Sequence, residues 1–349
     1  MINHAENKIE DTEGKHEIAV VGLGLMGCSI VTALLIAGNK VIALAPLPED
    51  LEKAPGKILQ CLEDAYKNGF STYTTTENLS RLSFTEDYSD LSNCSIAMEC
   101  VSENLQIKKQ VYRNIEAHLP LDSILTTNTS AMPITVLKEH VKHPKRFLGM
   151  HWAEPAYTTK FLEIICSSCT DVSIAEYLYK VASGWGKEPT LVRKDIRGFI
   201  TNRIMYAMYR EAFYLVENGY ATIEDVDRTC RNDGGHWMTF CGLFRYMDLT
   251  GLQAYYNVMK DLFPELSNQS KVPDLISEIA QKGGNGIVNG KGFYEYTEEE
   301  AQEWEKAFEE FSFEISKLSA KYSIDLIEKR LSARTMNALV NNANTPANG

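Results

Sequence analysis

No run of apolar residues in this 349-residue chain reaches the roughly 18 positions that a bilayer-crossing helix requires, and the longest ends at Gly38-Asn39-Lys40. A membrane partner is therefore not expected. The opening residues, MINHAENKIEDTEGKHE, lack the apolar centre of a signal peptide and read as a flexible leader over 1–15, so export is not expected either. Clustered basic residues are missing too. With 35 Lys and Arg against 47 Asp and Glu, the formal net charge is -12, and nothing offers phosphate backbones the positive patch that drives nucleic-acid binding. Paired cysteine spacing is almost absent. Of the eight cysteines, Cys28, Cys61, Cys94, Cys100, Cys230 and Cys241 are scattered through apolar surroundings, which suits free thiols in a reducing cytoplasm. Cys166 and Cys169 form one CxxC, but no second pair or His cluster accompanies it, and the spacing is taken as incidental, with no metal site.

What is present is enough apolar material for a large core. Hydrophobic residues make up 44% and charged residues 23%, a globular balance, and the length suits two domains better than one. From Ile18 to about Lys194, short apolar runs alternate with longer amphipathic ones, as in a parallel sheet wrapped by helices. Strands are predicted at 18–21, 40–45, 81–84, 95–100, 123–128, 146–151, 162–166 and 190–194. Beyond Gly198 the strand pattern stops, and 198–219 carries helical spacing closed by Gly219 as a C-cap. Thr222 opens the next helix with Asp225 three positions on, and two more apolar helical stretches follow to about Gly283. KGFYEY (291–296) reads as a short extended closure, followed by an amphipathic helix and a polar, Asn-rich tail. The predicted architecture is a Rossmann-type doubly wound α/β sheet followed by an all-helical domain. Its expected divisions are 1–15, 16–196 (dinucleotide binding), 197–300 (substrate and dimerisation) and 301–349 (C-terminal helix and tail).

The glycine pattern between the first strand and the first helix is the most specific motif. Gly22-Leu23-Gly24-Leu25-Met26-Gly27 places a turn-forming glycine first, a side-chain-free approach for a pyrophosphate second, and a close helix–strand contact third. Gly22, Gly24, Leu25, Met26 and Gly27 are accordingly candidate cofactor contacts, with the helix N-terminus facing phosphate.

Further along, His151 closes one predicted strand and Glu163 sits inside the next apolar run. A buried carboxylate needs a donor, and a His across the sheet would supply one, forming a base whose tautomer the Glu holds. Taken alone, these residues also fit ordinary packing. Three more segments bear on the choice: MECVSENLQIKKQVY (98–112), TTNTSAMPI (126–134) and GFITNR (198–203).

With these segments the chain resembles the 3-hydroxyacyl-CoA dehydrogenase family from Ile18 through Tyr296. The family's Ser in S-N-T-S, its His opening H-F-F-N-P, its Glu twelve positions on and its Asn in G-F-x-x-N-R fall on Ser130, His151, Glu163 and Asn202. The resemblance implies hydride transfer between C3 of a 3-hydroxyacyl-CoA and NAD, with His151 taking the hydroxyl proton, Glu163 orienting it, and Ser130 and Asn202 holding the oxygen. It also implies cofactor contacts for Glu103, Lys108 and Asn128, although the first two also suit a helix start and Asn128 a turn.

Departures from that pattern qualify the expectation. Ala45 stands where NAD-binding relatives place an Asp for the ribose hydroxyls, and no Arg follows to receive a 2′-phosphate, so NAD is expected without NADP being excluded. Glu154 replaces the family's Asn; turned inward it would raise the pKa of His151, turned outward it would do nothing. Acids Glu49, Asp50, Glu52, Glu63 and Asp64 outnumber Lys53, Lys57 and Lys67 where a CoA phosphate would be sought. A free 3-hydroxy acid, as in gulonate- or carnitine-dehydrogenase-like relatives, is therefore the alternative substrate, and Trp152 with Glu154 a conceivable site for a quaternary ammonium. A non-catalytic, crystallin-like relative is the third reading. His236 and Trp237 are weaker candidates for the substrate side, and the apolar faces of 204–216 and 243–259 predict a homodimer.

Overall fold

The computed structural model describes residues 17–323 together with 327 and 329–332. The expected leader over 1–15 and the polar tail lie outside the described residues. The chain forms two compact units that part between Asn202 and Arg203.

In the first unit the elements run β1 (Glu17–Val21), α1 (Leu25–Ile36), β2 (Lys40–Leu44), α2 (Pro48–Lys67), α3 (Thr75–Leu79), β3 (Leu82–Thr85), β4 (Ile96–Glu99), α4 (Leu105–His118), β5 (Ile124–Thr127), α5 (Ile134–Leu137), β6 (Phe147–Trp152), β7 (Phe161–Ile165), α6 (Val172–Gly184) and β8 (Glu188–Val192). The eight strands form one sheet in the order β3-β2-β1-β4-β5-β6-β7-β8, and each overlaps a predicted apolar run. The order reverses between β1 and β4, which opens a crevice at their C-terminal ends, where doubly wound sheets bind ligands.

One pairing departs from the parallel expectation. β6 and β7 are antiparallel, whereas β7 and β8 are parallel. The cause is connection length. Residues 153–160 join β6 to β7 directly, too short a link for a parallel crossover, while α6 supplies that crossover between β7 and β8.

The core explains the strand composition. Ile18, Ala19, Val20 and Val21 of β1 and Ile96, Ala97 and Met98 of β4 are at most 1% exposed, as expected of central strands covered on both faces. α1 is buried from Gly27 through Leu35, so it is apolar all round rather than on one stripe. α2 instead buries only Ala54, Ile58, Leu62 and Ala65, at the spacing of one helical face.

The second unit continues α7 (Thr201–Glu217) and holds α8 (Ile223–Asn232), α9 (Gly234–Thr250), α10 (Leu252–Leu262), α11 (Asp274–Gln281) and α12 (Glu298–Lys321). Thr222 caps α8 by accepting from the Asp225 N–H at 3.1 Å, and Gly219 adopts φ 74° just past α7, as the sequence predicts. Between α8 and Gly283 three helices stand where two were expected. α11 is short and starts after Pro273, and α9 is broken at Gly242 (φ 69°), so neither gives a long uninterrupted pattern. KGFYEY makes isolated bridges, Gly286 with Lys291 and Lys291 with Glu295, in place of a strand.

Candidate active site

The site begins where β1 turns into α1. Gly22 has φ 101°, and a Cβ there would stand 2.9 Å from the backbone of Cys100 beyond β4. Gly27 is tighter still: its Cβ would lie 1.9 Å from the Gly22 carbonyl oxygen. These two glycines close the turn against its own helix. Gly24 differs, because a Cβ on it would meet nothing within 4 Å. It caps α1 with no side-chain hydrogen bond and no acid in the first turn, and Gly24 and Leu25 are exposed. Free helix N–H groups beside an open, side-chain-free surface fit a dinucleotide diphosphate. At the end of β2, Ala45 is 2% exposed and offers the ribose neither carboxylate nor cation.

A second cluster lies at the ends of β4 and β5. Glu99, wholly buried at the close of β4, accepts from Lys108 Nζ at 2.8 and 3.0 Å, Tyr112 OH at 3.0 Å, Thr127 Oγ1 at 2.7 Å and the Val101 N–H at 2.8 Å. Lys108, also 0% exposed, reaches Glu103 at 3.3 Å. The ammonium is thus held inside the protein between two carboxylates. Glu103 in turn accepts from the Thr129 hydroxyl and from the N–H groups of Ser130 and Ala131, both at 3.2 Å. Burial pushes the Glu103 carboxyl up, but Thr129, Lys108 and the Ala131 N–H together hold it below the usual carboxylate range. Asn128 joins strand ends, its Oδ1 accepting from the Trp152 N–H at 2.9 Å.

The third cluster lies at the end of β6. His151 and Glu163 are direct partners in the β6–β7 register, and His151 Nδ1 stands 2.9 Å from Glu163 Oε2. Glu163 is 1% exposed, and its other oxygen accepts from the N–H groups of Ile200 and Thr201, each at 3.0 Å. Burial would raise this carboxyl, yet the His151 bond and the two N–H groups leave it below its ordinary value. As a carboxylate it accepts from Nδ1–H, so Nε2 is the nitrogen left with a lone pair. Phe161 and Phe199 flank the ring, each 5.6 Å away between centroids. Asn202 Nδ2 donates to the Ser130 carbonyl at 2.9 Å, tying the start of α7 to the loop after β5.

Glu154 answers neither expectation for it. It is exposed as a residue, and its carboxyl accepts from the Ser29 hydroxyl on α1 while partial burial raises it. The cation site suggested for Trp152 is also not formed: that ring is 3% exposed, stacked on Trp185 at 6.1 Å, with Lys187 Nζ 5.2 Å from its centre. Trp237 stacks on Tyr246 at 4.1 Å and lines, with His236, a groove of about 830 Å³ beside α12. All eight cysteines are free thiols.

Sequence reasoning missed Glu99, although a carboxylate inside the apolar run SIAMEC is the same signal that singled out Glu163. Lys187 left no signal, because a lysine in a Gly-flanked turn reads as solvated.

A glycine turn under an uncapped helix N-terminus, at the switch point of a doubly wound sheet and near a buried His–Glu pair, defines a nicotinamide-dependent dehydrogenase. Residues 17–196 match the NAD binding domain of 3-hydroxyacyl-CoA dehydrogenase, and residues 198–296 match the C-terminal domain of the same family. The chain belongs to the 3-hydroxyacyl-CoA dehydrogenase family. A 5-formyl-3-hydroxy-2-methylpyridine 4-carboxylate 5-dehydrogenase from Mesorhizobium japonicum is 32% identical over 82% of this chain and 92% of its own length. A probable 3-hydroxybutyryl-CoA dehydrogenase from Deinococcus radiodurans is 30% identical over 80% of this chain and all of its own. Among solved structures, a 5-formyl-3-hydroxy-2-methylpyridine 4-carboxylic acid 5-dehydrogenase, described as an NAD+-dependent dismutase, superposes with TM-score 0.82 at 30% identity, covering 88% of this chain and 99% of the other. FadB2 of Mycobacterium tuberculosis gives 0.68 at 29% identity, covering 81% and 99%.

Proposed function

We propose that the chain interconverts a 3-hydroxyacyl-CoA and its 3-ketoacyl-CoA, with His151 as the general base. The observation that carries this reading is the His151–Glu163 bond at 2.9 Å, with the far oxygen of Glu163 held by two backbone N–H groups. Glu163 keeps the proton on Nδ1, and Nε2 receives the proton of the substrate hydroxyl; in the reverse direction His151 returns it. Charge grows on that oxygen as the proton leaves, and in this reading the Ser130 hydroxyl donates to it. Asn202 spends one amide N–H on the Ser130 carbonyl, so it steadies Ser130 and keeps a second N–H for substrate. Glu103 organises the same loop from the other side. When bound at the glycine turn, NAD supplies the hydride acceptor, with Gly22, Gly24, Leu25, Met26 and Gly27 holding its diphosphate.

A second reading is a small CoA-free carboxylate. It is favoured by the acidic first turn of α2, Glu49 and Asp50, and by the similarity to an enzyme named for a pyridine carboxylate. The test follows nicotinamide absorbance with NADH and NADPH against acetoacetyl-CoA and against free 3-keto acids, with His151→Ala as control. Turnover of acetoacetyl-CoA that the control loses supports the first reading; turnover confined to free acids supports the second. No turnover with nucleotide still bound overturns both.

A homodimer, and a place in cytoplasmic fatty acid metabolism, belong to the same reading. Tyr206, Phe244 and Tyr256, on the helices expected to dimerise, are 68%, 80% and 66% exposed in the single chain. Sedimentation velocity checks the dimer.

A further inference from the structure

The loop 153–160, which follows His151 and Trp152, is held from two sides. On one side Ser29 of α1 accepts the Ala156 N–H at 2.7 Å and donates to the Glu154 carboxylate. On the other, the ammonium of Lys187, in the turn after α6, donates to the carbonyls of Ala156 and Thr159. Ala156 is therefore gripped by its N–H and its C=O at once, between the cofactor helix and the edge of β8.

Lys187 is an expensive way to hold two carbonyls. The residue is 6% exposed and, among the described residues, has no carboxylate within ion-pair distance. The adjacent acid, Glu188, is bonded to Lys160 at 2.6 Å instead. Only carbonyl dipoles and the Trp152 ring, 5.2 Å away, balance the charge. Trp152 is fixed in turn by its stack on Trp185, the residue two before Lys187, while its own Nε1 is buried without a hydrogen-bond partner. The backbone N–H of Trp152 is bonded to Asn128, so the ring faced by Lys187 belongs to the residue that links β6 to the loop after β5.

We propose that Lys187 is a positioning residue: through Trp152 and the loop 153–160 it sets the end of β6, and hence the His151–Glu163 geometry, relative to the dinucleotide helix α1. This rests on His151 being the base, but its test requires no substrate. Burial pushes the Lys187 ammonium down to about 7, so its charge changes near neutrality. The neutral amine still donates to both carbonyls but no longer presents a cation to Trp152. The ionisable groups on the loop it holds and on the elements that adjoin it in the chain are Glu154 and Tyr157 on the loop, Lys160 and Glu188 at the starts of β7 and β8, and Glu176, Tyr177, Tyr179 and Lys180 on α6. Lys160 and Glu188 are bonded to each other, and the Glu154 carboxyl is bonded to Ser29.

The experiment uses the full chain labelled on histidine, with the His151 imidazole followed by NMR titration in wild type and Lys187→Met, NADH binding measured alongside. The expected result is a His151 midpoint lowered by about half a unit or more, because a looser bond to Glu163 stabilises the imidazolium less. NADH affinity is expected to hold within about threefold, since Ser29 and the glycine turn are intact. An unchanged His151 midpoint overturns the proposal, as does a collapse of NADH binding without movement of His151. If Lys187→Met does not fold, tryptophan emission decides: wild type is expected to titrate near pH 7 and Trp152→Phe to lose that transition. Emission that is flat through neutrality, or a transition that survives Trp152→Phe, overturns it. Failure to turn over any substrate would overturn the proposed activity and leave these readouts standing.

Discussion

His151 and Glu163 face each other as register partners in the antiparallel β6–β7 pair, and N–H groups leading into α7 grip the carboxylate from behind. Imidazole orientation is thus built into a strand pairing rather than into a loop. Glu163→Gln keeps the shape but replaces the acceptor at Nδ1 with a group that can also donate. It is expected to lower kcat by about 10²–10⁴-fold with little change in KM, as steady-state kinetics would read. The acid side of stability follows from the same group. Its carboxyl lies below the ordinary 4.5 in the folded chain, so its contribution is present above pH 4.5 and is lost as pH falls through the lower folded value. Wild type is expected to lose stability faster than the Gln variant below pH 4.5 in denaturant titrations.

The glycines of the first turn should separate binding from folding. Gly24→Ala puts a methyl into open space and is expected to leave the melting temperature within a few degrees while weakening NADH at least about tenfold. Gly27→Ala drives a methyl into the Gly22 carbonyl and is expected to lower the melting temperature itself. Calorimetry paired with NADH titration checks both.

Ala45→Asp places a carboxylate where ribose hydroxyls would meet it. The NAD over NADP preference is expected to rise about tenfold, equivalent to about 1.4 kcal/mol, because a carboxylate bonds the hydroxyls and repels a 2′-phosphate. Ratios of kcat/KM, or of binding constants, measure it.

Glu99 and Lys108 are a fully buried ion pair at 2.8 Å, so removing Glu99 leaves the buried ammonium only the more distant Glu103, at 3.3 Å. Glu99→Leu is expected to cost about 3–5 kcal/mol in urea unfolding, and Glu99→Leu with Lys108→Met to recover part of that loss.

Lys187 gives stability a pH trend of the same sign as Glu163, in a higher pH window. Its folded value, about 7, lies below the unfolded one of 10.5, so between those values the unfolded chain binds more protons and stability rises with pH. Melting temperatures from pH 7 to 10 are expected to climb in wild type relative to Lys187→Met.

Local chemistry made much of this molecule legible from its residues. Eight apolar runs became eight strands, the glycine spacing became the helix-capped turn, and Thr222 and Gly219 became caps, because periodicity, turn geometry and capping depend on neighbours a few positions apart. The pairing of His151 with Glu163 could be suspected, since a carboxylate in an apolar run demands a partner. Other relationships depended on which distant segments meet. The antiparallel turn of β7 came from a short connection inside an otherwise parallel pattern. The enclosure of Lys108, expected as a cofactor contact, between Glu99 and Glu103 depended on α4 packing against β4. Glu154 was open between two orientations until Ser29, far away in the chain, took its carboxyl. Sequence alone determined the elements and the chemical needs of their buried groups; the tertiary structure decided which partner met each need, because hydrogen bonds and ion pairs are satisfied by proximity in space.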